Sequence, residues 1–244
     1  MRILVTNDDG IAGEGLKVLV DFASKLGEVT VCAPKVQQSA KSHAINIYTS
    51  FEVKKVEFEG AVEAYSVDST PADCVRFGTI GLGRSYDLVL SGVNRGLNMG
   101  EDIAYSGTVG AIFEASYRSI KGIAFSADIN TFKHAREWID KVYAFIEEKD
   151  MLKHASLLNV NIPDEPKGIL LTKQGGPFFT DSFSEIEEGV WKQTGYCIHA
   201  NCHDLTIDSD ATIDGYVTVT PLTTSHSDLT AYENIKKEKV YVIQ

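Results

Sequence analysis

Two aspartates stand side by side in Thr6-Asn7-Asp8-Asp9-Gly10, between an apolar run and a glycine. Packing two anions together is unfavourable unless a cation shares them, and carboxylate oxygens suit hard ions such as Mg²⁺ or Mn²⁺. Taken alone, the pair reads equally well as a solvated acidic turn in which Asp9 caps the next helix. A second segment, Ser91-Gly92-Val93-Asn94-Arg95-Gly96-Leu97-Asn98, sets Asn94 and Asn98 four apart among glycines that let the backbone approach a ligand closely. Asparagine offers a neutral carbonyl to a hard cation and an amide donor to a phosphate oxygen. In a third, Tyr105-Ser106-Gly107-Thr108-Val109-Gly110, hydroxyls and free N–H groups open a helix and make a ready anion site. An ordinary Gly/Asn turn and a plain serine N-cap explain the second and third segments equally well in isolation. Ser39 lies in a loop after the second apolar run and by itself is only a loop serine.

The elements that would carry these residues follow from periodicity and punctuation. Residues 2–7 read as a buried strand, residues 14–26 as a helix ended by Gly27, and residues 28–34 as the next strand. Strand, helix, strand with short connections implies a parallel sheet with helices on its faces. Alternation over residues 44–59 predicts a hairpin or strand pair. Thr70 as cap, Pro71 at the first helical position and Asp73 at the third predict a helix to about Ile80. Residues 87–93 form a strongly apolar strand feeding the Gly-rich loop, residues 108–119 a helix, residues 123–126 a strand and residues 131–148 an amphipathic helix. After Leu157 the pattern turns to strands at residues 157–162, 168–172, 196–200 and 216–221, with a loop through Gly175-Gly176-Pro177. The expected fold class is a three-layer αβα arrangement on a mostly parallel, nucleotide-fold-like sheet with a β-rich carboxyl-terminal extension. Residues 1–155 form the α/β core, and residues 156–244 complete the sheet and supply an oligomerisation arm. In open parallel sheets ligands sit beyond the carboxyl ends of the strands, where all three polar segments fall. A cation site, a neutral donor site and an anion site at one sheet edge are the set that phosphoryl chemistry needs.

Composition narrows the partners. A net charge of -11 at pH 7 repels polyanions, and without a basic stripe a nucleic-acid polymer is not expected as a partner. A small phosphate can still bind if a metal or oriented N–H groups reverse the local sign. No apolar run is long enough to span a bilayer, and the amino terminus enters a strand without the regions of a secretory signal, so no membrane role and a cytoplasmic location are expected. Cys32, Cys74, Cys197 and Cys202 lack a disulfide spacing and are expected to be structural, acting as small hydrophobes. Cys197, His199, Cys202 and His203 are competent zinc ligands, but their spacing fits no ordinary closed site.

Several segments in their shared order resemble the SurE (survival protein E) family: residues 3–10, Ala33-Pro34 followed by Ser39, Thr70-Pro71-Ala72-Asp73, residues 91–98, residues 105–111, Asn159-Val160-Asn161-Ile162-Pro163 and Val217-Thr218-Val219-Thr220-Pro221. Ala40 and Ser69 stand where the family often has glycine. The resemblance implies one divalent cation per subunit, Mg²⁺ or Mn²⁺, held by Asp8, Asp9, Ser39 and Asn94, with Asp8 central to catalysis. It places phosphate or substrate near Asn7, Asn98, Ser106, Gly107 and Thr108. It also implies hydrolysis of nucleoside 5'-monophosphates, with 3'-monophosphates and short polyphosphate as further substrates, by a homodimer or homotetramer. The rival from another class is a receiver-like, Mg²⁺-binding signalling module. That module needs a phosphoacceptor aspartate ending a central strand, where this chain has Asn94. A dinucleotide-binding oxidoreductase is disfavoured because Gly10, Gly13 and Gly15 reverse the fingerprint spacing and the turn is acidic.

Overall fold

The computed structural model describes residues 1–237. Its centre is a nine-stranded sheet. The strands are β1 (Arg2–Thr6), β2 (Glu28–Pro34), β3 (Val53–Val56), β4 (Glu63–Val67), β5 (Leu88–Arg95), β6 (Lys121–Ala127), β7 (Leu157–Ile162), β8 (Ile169–Leu171) and, beyond a separate hairpin of β9 (Phe179–Glu187) and β10 (Val190–Cys197), β11 (Val217–Leu222). Their spatial order is β3-β4-β2-β1-β5-β6-β7-β11-β8. The six from β4 to β7 run parallel; β3 is antiparallel to β4 and β11 to β7. The sequence grows outward on one side of β1 and then resumes with β5 on the other. The direction of winding therefore switches between β1 and β5, where such sheets open a crevice at the strands' carboxyl ends.

The helices are α1 (Glu14–Ala23), α2 (Pro71–Arg76), α3 (Gly107–Tyr117), α4 (Lys133–Glu148), α5 (Met151–His154), α6 (Asp208–Ile213) and α7 (Leu229–Lys236). Side-chain alternation along the buried strands feeds two cores. Ile3, Val5, Leu90, Phe125 and Val160 join Leu16, Leu19, Ile139 and Val142 of α1 and α4 on one face. Leu4 and Val89 join Cys74, Val75, Ala111 and Ala115 of α2 and α3 on the other. This is the expected three-layer order, and helix α4 shows why periodicity found it: Ala135, Ile139, Val142 and Ile146 make one buried stripe.

Several expectations change. Helix α1 stops at Ala23, with residues 24–26 in turns before Gly27. Of residues 44–59, only Val53–Val56 is a strand, and it pairs with β4 rather than within that segment. The preceding residues have their polar groups bound elsewhere: Ser42 N–H donates to Tyr105 O (3.0 Å), Asn46 N–H to Asp73 (2.8 Å), and Ala44 O accepts from Thr70 (2.7 Å). Beyond Arg76, α2 widens into a π-helical turn, Phe77–Gly81. The strand expected at residues 196–200 ends at Cys197 and is half of the hairpin β9–β10, whose residues are almost all exposed. Helices α6 and α7 were not predicted. Cys32 and Cys74 are buried as expected, but Cys197 and Cys202 are exposed, because they lie on the hairpin and just after it.

Candidate active site

Strand β1 ends at Thr6 and delivers Asn7, Asp8 and Asp9 into the crevice. Asn7 is fully buried, donates to Gly10 O (2.9 Å) and accepts from Gly10 N–H (3.2 Å). It therefore ties the turn, committing its carbonyl oxygen and one of its two amide hydrogens to Gly10. Gly10 itself sits at φ +96°, where a side chain would be strained. The turn leaves Asp8 only 4% exposed, with Asp9 half-buried beside it. Asp8 Oδ1 accepts from Thr108 Oγ1 at 2.6 Å, so the Thr108 side chain holds the carboxylate. Gly107 stands so close that a Cβ there would lie 3.0 Å from Asp8 Cβ. Burial pushes the Asp8 carboxyl up to about 6, against the hydrogen bonds from Thr108 and with the repulsion of Asp9 added. Burial also raises Asp9, opposed by the Arg95 amide and guanidinium.

Asp9 gathers the other oxygen donors. Its Oδ2 accepts from the Arg95 amide at 3.3 Å, beside Asn94 at the end of β5. Gln37 spans its Oδ1 (3.5 Å) and Ser39 Oγ (3.0 Å). Asn94 donates its amide to Gly96 O (2.8 Å), which leaves its carbonyl oxygen available to a cation. Asp8, Asp9, Ser39 and Asn94 offer oxygen donors, with Asp9 linked to Ser39 through Gln37 and to the Arg95 amide next to Asn94, and among the described residues no cationic side chain bonds Asp8. Such a set fits a hard divalent ion. Among the described residues no group of three or more His, Cys, Asp or Glu side chains is placed to hold a metal, so the two carboxylates need their neutral neighbours. The imagined zinc ligands have other partners: His199 faces Asp210 at 2.7 Å and His203 faces Asp214 at 2.9 Å.

The anion side is built by α3 and the loop before it. Ser106 is the N-cap and accepts from Val109 N–H (3.2 Å), so the first amides of an 11-residue helix open toward the carboxylates. Asn98, half-buried, donates its amide to Ser126 Oγ at 2.8 Å and retains a second N–H and its carbonyl oxygen. Gln37, Ser126, Asn159 and Asn161 were not singled out as site residues. Asn-Val-Asn within an apolar strand carried a signal, since polar residues at period two mark one face. Gln37 carried none. Cavity volume would not have found the place either: a hollow of about 570 Å³ lined by Met1, Arg2, Lys25, Gly27 and Asp87 lies at the starts of the strands, the opposite edge.

The survival protein SurE family model matches residues 3–180. The chain is 43% identical to a protein named 5'-nucleotidase SurE from Clostridium botulinum (strain 657 / Type Ba4), over 98% of this chain and 97% of that one. It is 38% identical to another of that name from Thermoanaerobacter sp. (strain X514), with 96% of each covered. Its fold is similar to the crystal structure of the SurE protein from Aquifex aeolicus, with a TM-score of 0.80 and 32% identity over 97% of this chain and 99% of that one. With the αβα fold, the acidic turn at the switch point and this breadth of similarity together, the chain belongs to the SurE family.

Proposed function

We propose that the protein is a 5'-nucleotidase, a phosphomonoesterase that hydrolyses nucleoside 5'-monophosphates to nucleoside and phosphate with the help of one Mg²⁺ or Mn²⁺ per subunit. The observation that carries this reading is Asp8: a carboxylate almost wholly removed from water, next to a second carboxylate, at the switch point of the sheet and beside the first turn of a helix. Asp8, Asp9, Ser39 and Asn94 are the ligands in this reading. When bound, the cation supplies charge neutralisation to the phosphate and acidity to a water. The amides of Gly107 and Thr108 and the Asn98 amide hold the phosphate oxygens, where negative charge spreads during transfer. Thr108 keeps Asp8 oriented, and Ser106 fixes the direction of the helix start. Nucleoside 3'-monophosphates and short polyphosphate are further proposed substrates, since the donor set reads phosphate rather than base. A receiver-like role has no support from the strand end at Asn94, which lacks the acceptor carboxylate.

The segment after residue 156 supplies β7, β11 and β8 to the sheet and the exposed hairpin, which we propose as the arm of a homodimer or homotetramer. No helix among the described residues is long and apolar enough to cross a membrane. The test of function is a screen of chelator-stripped protein against nucleoside 5'- and 3'-monophosphates, sugar phosphates and polyphosphate, with and without Mg²⁺ or Mn²⁺. Phosphate release from 5'-monophosphates that requires added metal is expected, and turnover indifferent to chelation would overturn the assignment.

A further inference from the structure

Strand β7 presents two faces of opposite character. Leu158, Val160 and Ile162 pack in the large apolar core. Asn159 and Asn161, fully buried, project from the other face, next to Ser126 of β6. All three reach one residue. Asn161 Oδ1 accepts from the Asn98 N–H at 2.8 Å, and Asn161 Nδ2 donates to the Asn98 carbonyl at 2.7 Å. Asn159 Nδ2 donates to the same carbonyl at 2.8 Å, and Ser126 Oγ accepts from the Asn98 side chain at 2.8 Å. The loop around Asn98 has no regular structure. Its peptide is bound as a neighbouring strand would bind it, but by side-chain amides. The same cluster leaves Asn159 Oδ1 buried without a partner, a costly atom that an apolar side chain would avoid. Buried polarity of this kind on one face of a strand, with an apolar core on the other, suits placement of a loop better than stability alone.

We infer that Asn161, assisted by Asn159, is a positioning residue that fixes Asn98 for its contact with phosphate. The inference rests on the reading of Asn98 as a phosphate-binding residue. A hydrogen-bond donor to a developing anion acts fully only when its position is set before the ligand arrives, and a displacement near 1 Å is costly. The Asn161 side chain hydrogen-bonds the Asn98 peptide and none of the proposed metal ligands. Its removal therefore acts on phosphate recognition and not on the cation.

The test compares variants of the full chain by three measurements: KM for a nucleoside 5'-monophosphate, Ki for inorganic phosphate, and Mn²⁺ dissociation constant from electron paramagnetic resonance. Asn161→Ala is expected to raise KM and Ki about tenfold or more while Mn²⁺ affinity stays within about twofold. Asn159→Ala, which removes one contact of the three from β7, should raise Ki about threefold and provides the test if Asn161→Ala does not fold. Ile146→Ala removes a fully buried side chain of α4, on the opposite face of the sheet from Asn98. It should lower Tm without moving Ki. An unchanged Ki in the folded Asn161→Ala or Asn159→Ala protein, when Asn98→Ala does raise Ki, overturns the inference alone. Mn²⁺ affinity falling as Ki rises in these variants also overturns it. An Asn98→Ala protein with normal Ki overturns the reading beneath it as well.

Discussion

At the scale of single residues, the chemistry depends on the mismatch between Asp8 and its surroundings. A carboxyl whose value is raised from 3.8 to about 6 by burial opposes folding once it must ionise. Its native form binds the proton more tightly than the unfolded chain does. The associated stability is thus complete at low pH, and it is lost as pH rises through about 6. In chelator, Asp8→Asn should therefore be more stable than the parent at pH 7.5, by on the order of 2 kcal/mol, with the gap shrinking toward pH 4. Thermal melts at the two pH values check this, and an equal gap at both would show that ionisation is not the cause. With Mn²⁺ present the order should reverse, because the variant loses a charged ligand and with it the metal-induced rise in Tm. Its kcat is expected to fall about a hundredfold or more, whereas Asn94→Ala, which removes only a neutral donor, should lose about tenfold and recover in part at high Mn²⁺. Ala40 and Ser69, the two departures from the family's glycines, have local accounts. Ala40 adopts φ +56°, a left-handed conformation in which glycine is more at ease, and Ser69 donates to Asp73 at 2.5 Å.

Among the elements, helix α3 does more than present an N-terminus, because it also carries the wall against which the Ser39 loop rests. Gly110 lies so close to that loop that a Cβ would meet Ser42 O at 2.2 Å. One turn further on, Glu114 is 3% exposed and binds His43 (3.0 Å), Arg76 (3.1 Å) and Arg118 (2.8 Å). Burial works against its ionisation, but His43, Arg118 and Arg76 outweigh it and hold the carboxyl below its usual range. The loop is thus fastened three and four residues past Ser39. Gly110→Ala should push it off the helix and weaken Mn²⁺ binding about tenfold or more, although alanine favours helix formation. Gly176→Ala, where an added Cβ meets nothing within 4 Å, should leave Mn²⁺ binding alone. Equal Mn²⁺ affinity in the two variants, measured by titration, would mean that the Ser39 loop is not held by this contact.

For the whole molecule, the hairpin β9–β10 is the part on which the proposed assembly rests. Phe183, Ile186, Trp191 and Tyr196 are each more than half exposed on a two-stranded ribbon, which is marginally stable in water by itself. Tyr232 and Ile235 of α7 add a second exposed apolar surface. Light scattering at micromolar concentration should give at least twice the 26.7 kDa of one chain, and a mass equal to one chain would rule out the arm. Trp191→Glu should shift the assembly toward smaller species, with less effect on Mn²⁺ affinity, since the hairpin contributes none of the four proposed ligands.

The acidic pair, the glycine turns, the helix caps and the strand–helix alternation were legible because each is local: φ preferences, caps and periodicity act over a few residues. They determined a three-layer α/β chain with its polar segments at one edge of a parallel sheet, and shared motif order pointed to the family. Tertiary structure alone decided which oxygen meets which group. The Thr108 hydroxyl closed on Asp8, Asn7 closed on Gly10, and Ala44 and Asn46 gave up strand pairing to the polar groups of α2 and its cap Thr70, because buried donors and acceptors must all find partners. Asn161 makes the division plain. Its place on a polar strand face can be read from the alternation, but its partner, 63 residues away in the loop after β5, exists only once β5, β6 and β7 lie side by side.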